Sequence, residues 1–267
     1  MASDEVSVTS ADGRWQGRLT SRPLPVDDPS IAALGEADRA LLASVWHARA
    51  ASERVVADSF VVIGDALRAL DADASLVDLA VRAVDDEMRH AELSRVVASR
   101  YAGRELDPPP RLPLRFPKHA AASPRLRHVL HVVGQCCLNE TIASAFLEAA
   151  IARARAPLAS AALRELLSDE VDHARLGWAL LGAAGPSTRA EVAPWLPRMA
   201  IANLRMWREA PRTYPDDPRL AEHGAPPADV VEDALRMAFR DLVIPGLDEL
   251  GLPTGEIRGW LERGAPT

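Results

Sequence analysis

The chain has 267 residues, 48% of them apolar and 4% aromatic, with a net charge of −7 and a pI of about 5.5. Its two cysteines, Cys136 and Cys137, are adjacent, which excludes a disulfide scaffold and a Cys-rich zinc module. No stretch approaches the roughly 18 uncharged apolar residues of a membrane span, and the acidic balance, with scattered arginines and the single lysine Lys118, argues against a nucleic-acid partner.

The opening MASDEVSVTSADGRW has neither a basic start nor an apolar run. It does not read as a secretory signal, and the expectation is a soluble, reduced, cytoplasmic protein without a membrane partner. Residues 1–35 carry Pro23, Pro25 and Pro29 without periodicity and read as an N-terminal arm, extended over the body or partly disordered. A first helix follows from about Glu36 to Leu70, with Leu41, Val45, Ala48, Ser52 and Val56 three or four apart. Ser75 reads as the N-cap of a second helix that runs to Tyr101 and stops at Gly103.

From Gly103 to Ser123 there is no periodicity, and five prolines interrupt the segment. A connection this long needs a reason. Ser123-Pro124 reads as N-cap and first helical residue of a third helix, extending to about Arg155. Pro157 opens a fourth, which ends near Gly182 to Gly185. Ser187 then caps a fifth helix, a polar loop spans Tyr214 to Pro227, and a sixth helix ends at Pro245-Gly246. A last short helix starts after Thr254.

The order is a helical pair, a long connection and a second pair over 36–185, then a helical extension over 186–267 packed on the body. The expected fold is all-α, a four-helix bundle whose long crossover joins helices two and three. About twenty extended residues reach roughly 66 Å. A 28-residue helix is roughly 42 Å long, so the connection can run the length of the bundle.

Two segments repeat one pattern. Asp86-Glu87-Met-Arg-His90-Ala-Glu-Leu93 stands in the second helix, and Asp169-Glu170-Val-Asp-His173-Ala-Arg-Leu176 in the fourth. Both read D-E-x-x-H-A-x-L. Spacing i, i+3 puts Glu and His on one helix face, where they can share a metal ion. One E-x-x-H is common by chance; two at matching places are not. Glu53 in the first helix and Glu140 in the third stand at similar depths, 34 residues before Glu87 and 30 before Glu170. Glu140 is the only formally charged residue from Val129 to Leu147 if His131 is neutral, and burying it requires a cation or hydrogen bonds.

This set resembles the ferritin-like di-iron carboxylate superfamily, whose pattern is Glu, Glu-x-x-His, Glu, Glu-x-x-His. The match covers roughly residues 36–184. The resemblance implies that Glu53, Glu87, His90, Glu140, Glu170 and His173 ligate two iron ions, with Mn/Fe as the other pairing. It implies that Glu87 and Glu170 bridge them. In related multicomponent monooxygenases the Asp before each motif orients a histidine across the bundle. Carried over, Asp86 orients His173 and Asp169 orients His90.

Departures narrow the choice. The extra third-helix Glu of rubrerythrins is replaced by Cys137, the extra His of arylamine N-oxygenases by Leu166, and the radical Tyr of ribonucleotide reductase small subunits by Ser94. The resemblance then implies an O2-activating oxygenase or oxidase with O2 as co-substrate, a small organic substrate and a separate electron donor. The alternatives are a ferroxidase or peroxide-scavenging protein and a metal-free interaction module. Residues one turn from the ligands are the expected pocket: Val56, Phe60, Cys136, Cys137, Ala143, Ser144 and Phe146. His128 and His131 take a surface or capping role or line an access channel. The C-terminal helices cover the bundle or form a homodimer contact.

Overall fold

The computed structural model describes residues 15–209 and 214–263, and residues 1–14 of the expected arm lie outside them. The described residues are helical, and no β-strand forms among them. None of their helices is long and apolar enough to cross a membrane.

Four long helices carry the body. Helix α1 (Glu36–Ala69) packs along α2 (Ala74–Ala102). Helix α3 is one rod built from Pro124–Val132, a π-helical segment Val133–Glu140, and Thr141–Arg153. It packs on α4 (Pro157–Ala183), which also lies on α2. Helix α5 runs through Pro186–Val192, a 3₁₀ turn Ala193–Trp195, and Leu196–Glu209. Helix α6 joins Ala228–Met237, a π-helical segment Ala238–Val243, and Ile244–Glu249, and α7 is Gly255–Arg263. These three cover α3 and α4, with Leu196, Leu204, Phe239, Val243 and Leu247 buried against Leu130, Val133 and Ile142.

Several boundaries follow the expected signals. Gly103 ends α2 in the left-handed conformation at φ 65°, and the Ser123 Oγ accepts from the Leu126 N–H at the start of α3. Others shift. Asp73, not Ser75, caps α2: its carboxylate accepts from the Ser75 N–H at 2.8 Å. Helix α5 begins at Pro186 after Gly185 rather than at Ser187. Helix α6 does not end at Pro245-Gly246. The preceding segment bonds i to i+5, so Pro245, which lacks an N–H, falls where the helix can continue to Glu249.

The arm supplies what α4 lacks. Ala156, at its N-cap, has no side chain to accept a bond, and buried Asp28 accepts from the Leu158 N–H at 2.9 Å. Ser21 donates from its N–H and its hydroxyl to Glu165 on α4. Trp46, fully buried on α1, donates to the His223 carbonyl and so holds the loop before α6 against the body.

Gly177 sets the spacing of α3 and α4. A Cβ there would stand 2.6 Å from Cys136 Cβ and 2.7 Å from the Cys137 backbone nitrogen. The π-helical segment of α3 therefore sits against bare backbone of α4. Gly177→Ala is expected to cost about 1–3 kcal/mol through overpacking. Gly35→Ala, at a helix start with nothing within 4 Å, is the control. Thermal midpoints check this: the first should fall by several degrees and the second should stay near wild type.

Candidate metal centre

The six residues of the repeated pattern meet in the middle of the body. Glu53, Glu87, His90 and Glu170 form one group whose ligand atoms all lie within 4.8 Å of one another, and Glu87, Glu140, Glu170 and His173 form a second. Glu87 and Glu170 belong to both. Each of the four long helices contributes: Glu53 from α1, Glu87 and His90 from α2, Glu140 from α3, Glu170 and His173 from α4. Glu87 and His90 are 0% exposed and Glu140 and His173 1%, whereas Glu53 is only partly buried.

The histidine geometry is crossed. His90 Nε2–H donates to Asp169 Oδ2 at 2.9 Å, across from α2 to α4. His173 Nε2 stands 3.6 Å from Asp86 Oδ2, from α4 back to α2. The Nδ1 atoms point inward, His90 Nδ1 at 3.5 Å from Glu170 and 3.6 Å from Glu87, His173 Nδ1 at 3.1 Å from Glu87 and 3.3 Å from Glu170. A carboxylate behind each ring fixes its tautomer and leaves the Nδ1 lone pair for the centre. Arg89, inside the first motif, closes this side. It pairs with Asp169, lies 3.7 Å from Asp86 and donates to the Leu19 carbonyl of the arm at 3.1 Å.

The electrostatics are those of crowded carboxylates out of water. Burial pushes the Glu53 and Glu140 carboxyls well above the ordinary range, and the charges of Glu87 and Glu170 push them further. Burial opposes the charge on His90, yet Asp169, Glu170 and Glu87 outweigh it and hold its pKa well above the usual value. At His173, Asp86, Glu170 and Glu87 likewise overcome burial. Burial also opposes the Glu170 carboxylate, but His173 and His90 hold its pKa below the usual range. Both Glu87 oxygens and His90 Nδ1 are buried without a hydrogen-bond partner. Four carboxylates and two neutral imidazoles carry a charge that two divalent ions would cancel, so the donor set fits a pair of hard or borderline metal ions.

The π-helical segment ends on Glu140. Its i, i+5 period puts Gln135 on the same face, and Gln135 Nε2 donates to Glu140 Oε1 at 2.5 Å.

A cavity of about 810 Å³ opens against the centre. Glu53, Glu140 and Glu170 line it; Glu87, His90 and His173 do not. The long crossover forms one wall, with Leu112 to Pro117 and His119 facing the cavity. It is pinned along its course: the Asp107 carbonyl meets His47 Nε2, Arg111 pairs with Asp58 at 3.0 Å, and His131 Nε2–H donates to the Pro117 carbonyl at 2.9 Å. Helix α5 forms another wall through Trp195, Met199 and Trp207, and its Trp195 ring meets His119 of the crossover edge-on at 5.5 Å.

The expected pocket residues divide. Val56, Ala143 and Phe146 line the cavity, as does His131. Phe60, Cys136, Cys137 and Ser144 do not. The wall face of α3 runs through Gln135, Asn139, Ala143 and Phe146, and the other three α3 positions fall beyond its edge. Cys136 and Cys137 press on Gly177, and Phe60 packs on the His173 ring at 4.9 Å, on the closed side of the centre. His128 is not in the wall. Sequence reasoning missed Arg89, Gln135, Arg49 and the crossover wall. Of these only Arg89 carried a local signal, three residues after Asp86 and one before His90.

Comparison with family models, curated proteins and solved structures gives no match. The site therefore speaks through its own geometry. Asp169→Asn removes the acceptor charge behind His90 and should weaken metal binding about 10- to 100-fold. Competition for Zn(II) against a chromogenic chelator measures it, and unchanged affinity would show that Asp169 does not support the ligand.

Proposed function

We propose that the chain is a ferritin-like di-iron carboxylate protein of the oxygenase or oxidase type, acting on a small organic molecule with electrons from a separate donor. The carrying observation is the pair of interlocked Glu/His groups, sharing Glu87 and Glu170, that borders a cavity large enough for a substrate. The order of four long helices, with the long connection between α2 and α3, supports the bundle reading.

In this reading Glu53, Glu87, His90 and Glu170 hold one iron and Glu87, Glu140, Glu170 and His173 the other. Two reduced irons would supply the electrons that activate O2. The chain does the rest. Asp169 and Asp86 keep the Nδ1 atoms of His90 and His173 turned inward. Gln135 holds one oxygen of Glu140 and so limits its swing. Phe60 and the Arg89–Asp169 pair close the histidine side, so substrate reaches the centre past Glu53 and Glu140. The apolar wall keeps bulk water from the reacting atoms. The cavity is also what favours an organic substrate over simple iron oxidation, which needs only an ion path.

Metal analysis after anaerobic loading should give two irons per chain. Mixing with O2 should give a transient visible absorption. Glu140→Ala/Glu170→Ala, which removes one ligand from the first group and two from the second, should lose both. A wild type that takes up no metal, like the double variant, would overturn the reading.

A further inference from the structure

The cavity wall carries a guanidinium beside the centre, where its charge and that of Glu53 act on one another. Arg49 lines the cavity one turn before Glu53 on α1. Its guanidinium lies over the Trp46 ring at 4.5 Å and over Phe146 at 5.8 Å. Its Nη2 donates to the Gly224 carbonyl over a long 3.4 Å, and its Nη1 is buried without a hydrogen-bond partner. A guanidinium taken out of water costs free energy unless an acceptor meets it. Two more arginines in the wall, Arg115 and Arg198, are exposed. Glu53, Glu140 and Glu170 aside, the formally charged residues of the described wall are these three arginines. The remaining wall is mostly apolar.

We propose that the cavity binds an organic acid, its carboxylate on Arg49 and its apolar body along Val56, Leu130, Phe146 and Met199. The planar edge of a guanidinium matches two coplanar oxygens, which favours a carboxylate over a tetrahedral phosphate. Arg115 and Arg198 draw the anion toward the cavity. The assignment deepens the proposed function, resting on it for what becomes of the acid; the binding itself requires no metal. It makes Arg49 the residue that selects acids over neutral molecules of the same shape.

The test compares octanoate, decanoate and 4-phenylbutyrate, each with its own primary amide, and octyl phosphate. They are titrated into the full-length protein, Zn(II)-loaded and metal-free, by calorimetry and by tryptophan fluorescence, since Trp207 lines the cavity. At least one acid should bind about tenfold or more tighter than its amide in both metal states, as a charge-assisted bond predicts. Arg49→Gln should remove the preference, and Arg49→Lys should keep part of it. Metal content should stay the same in both variants. Equal binding of acids and amides in wild type overturns the proposal, whether or not the Gln variant folds. So does a preference that survives Arg49→Gln in the folded variant, which would put the carboxylate on the metal if it needs Zn(II) and on Arg115 or Arg198 if it does not. Tighter binding of octyl phosphate than of any acid overturns the carboxylate assignment. Failure of the di-iron reading shows separately, as absent metal uptake beside an intact acid preference.

Discussion

Four glutamates, three of them buried and Glu53 partly so, gathered in two groups that share Glu87 and Glu170, are the constraint around which the molecule is arranged. Like charges this close, out of water, cannot all remain ionised without cations among them. In the protein alone, burial and the neighbouring carboxylates push the Glu53 and Glu140 carboxyls up, and the carboxylates around His90 and His173 push those imidazoles up. Two divalent ions would relieve the same crowding of negative charge. Such a cluster is a poor source of stability, because the cost of taking its charges out of water offsets what their pairing returns. In the centre of four helices, it is a group that could hold metal ions.

The scaffold provides rigidity at the points where the cluster needs it. Gly177 lets α3 and α4 approach closely beside the two motifs. The π-helical segment turns Gln135 toward Glu140. The arm caps α4 through Asp28 and, through Leu19, braces Arg89 behind the Asp169–His90 pair. The Glu and His side chains of the cluster thus sit on packed helices, while the aspartates that face the histidines reach across between α2 and α4.

The centre has two unlike sides. The histidine side is sealed by the crossed aspartates, Arg89 and Phe60. The glutamate side faces a cavity between the crossover and α5. This asymmetry gives the long proline-rich connection its reason: it is a wall, pinned at His47, Asp58 and His131, rather than a spare linker. It also gives the C-terminal helices a part in the site, since Met199 and Trp207 close the cavity that the four long helices leave open.

The sequence by itself determined most of the helices and the six residues of the Glu/His cluster. Helical periodicity is local, proline and Asx or Ser caps mark ends, and a Glu and a His at i, i+3 share a face whatever surrounds them. Two copies of D-E-x-x-H-A-x-L, with Glu53 and Glu140 at matching depths, therefore declared a layer before any packing was known. The tertiary structure alone decided the rest. Which face of α3 meets the cavity depends on the π-helical register and on bare backbone at Gly177, so Ala143 and Phe146 line the wall while Cys136, Cys137 and Ser144 turn away. The tie between Asp28 and Leu158 spans 130 residues, and the crossover and α5 meet only in space. Arg49 looked like any surface arginine on an amphipathic helix. Its stacking on Trp46 and Phe146, and its unpartnered Nη1, exist only once α1, α3 and the Gly224 loop come together.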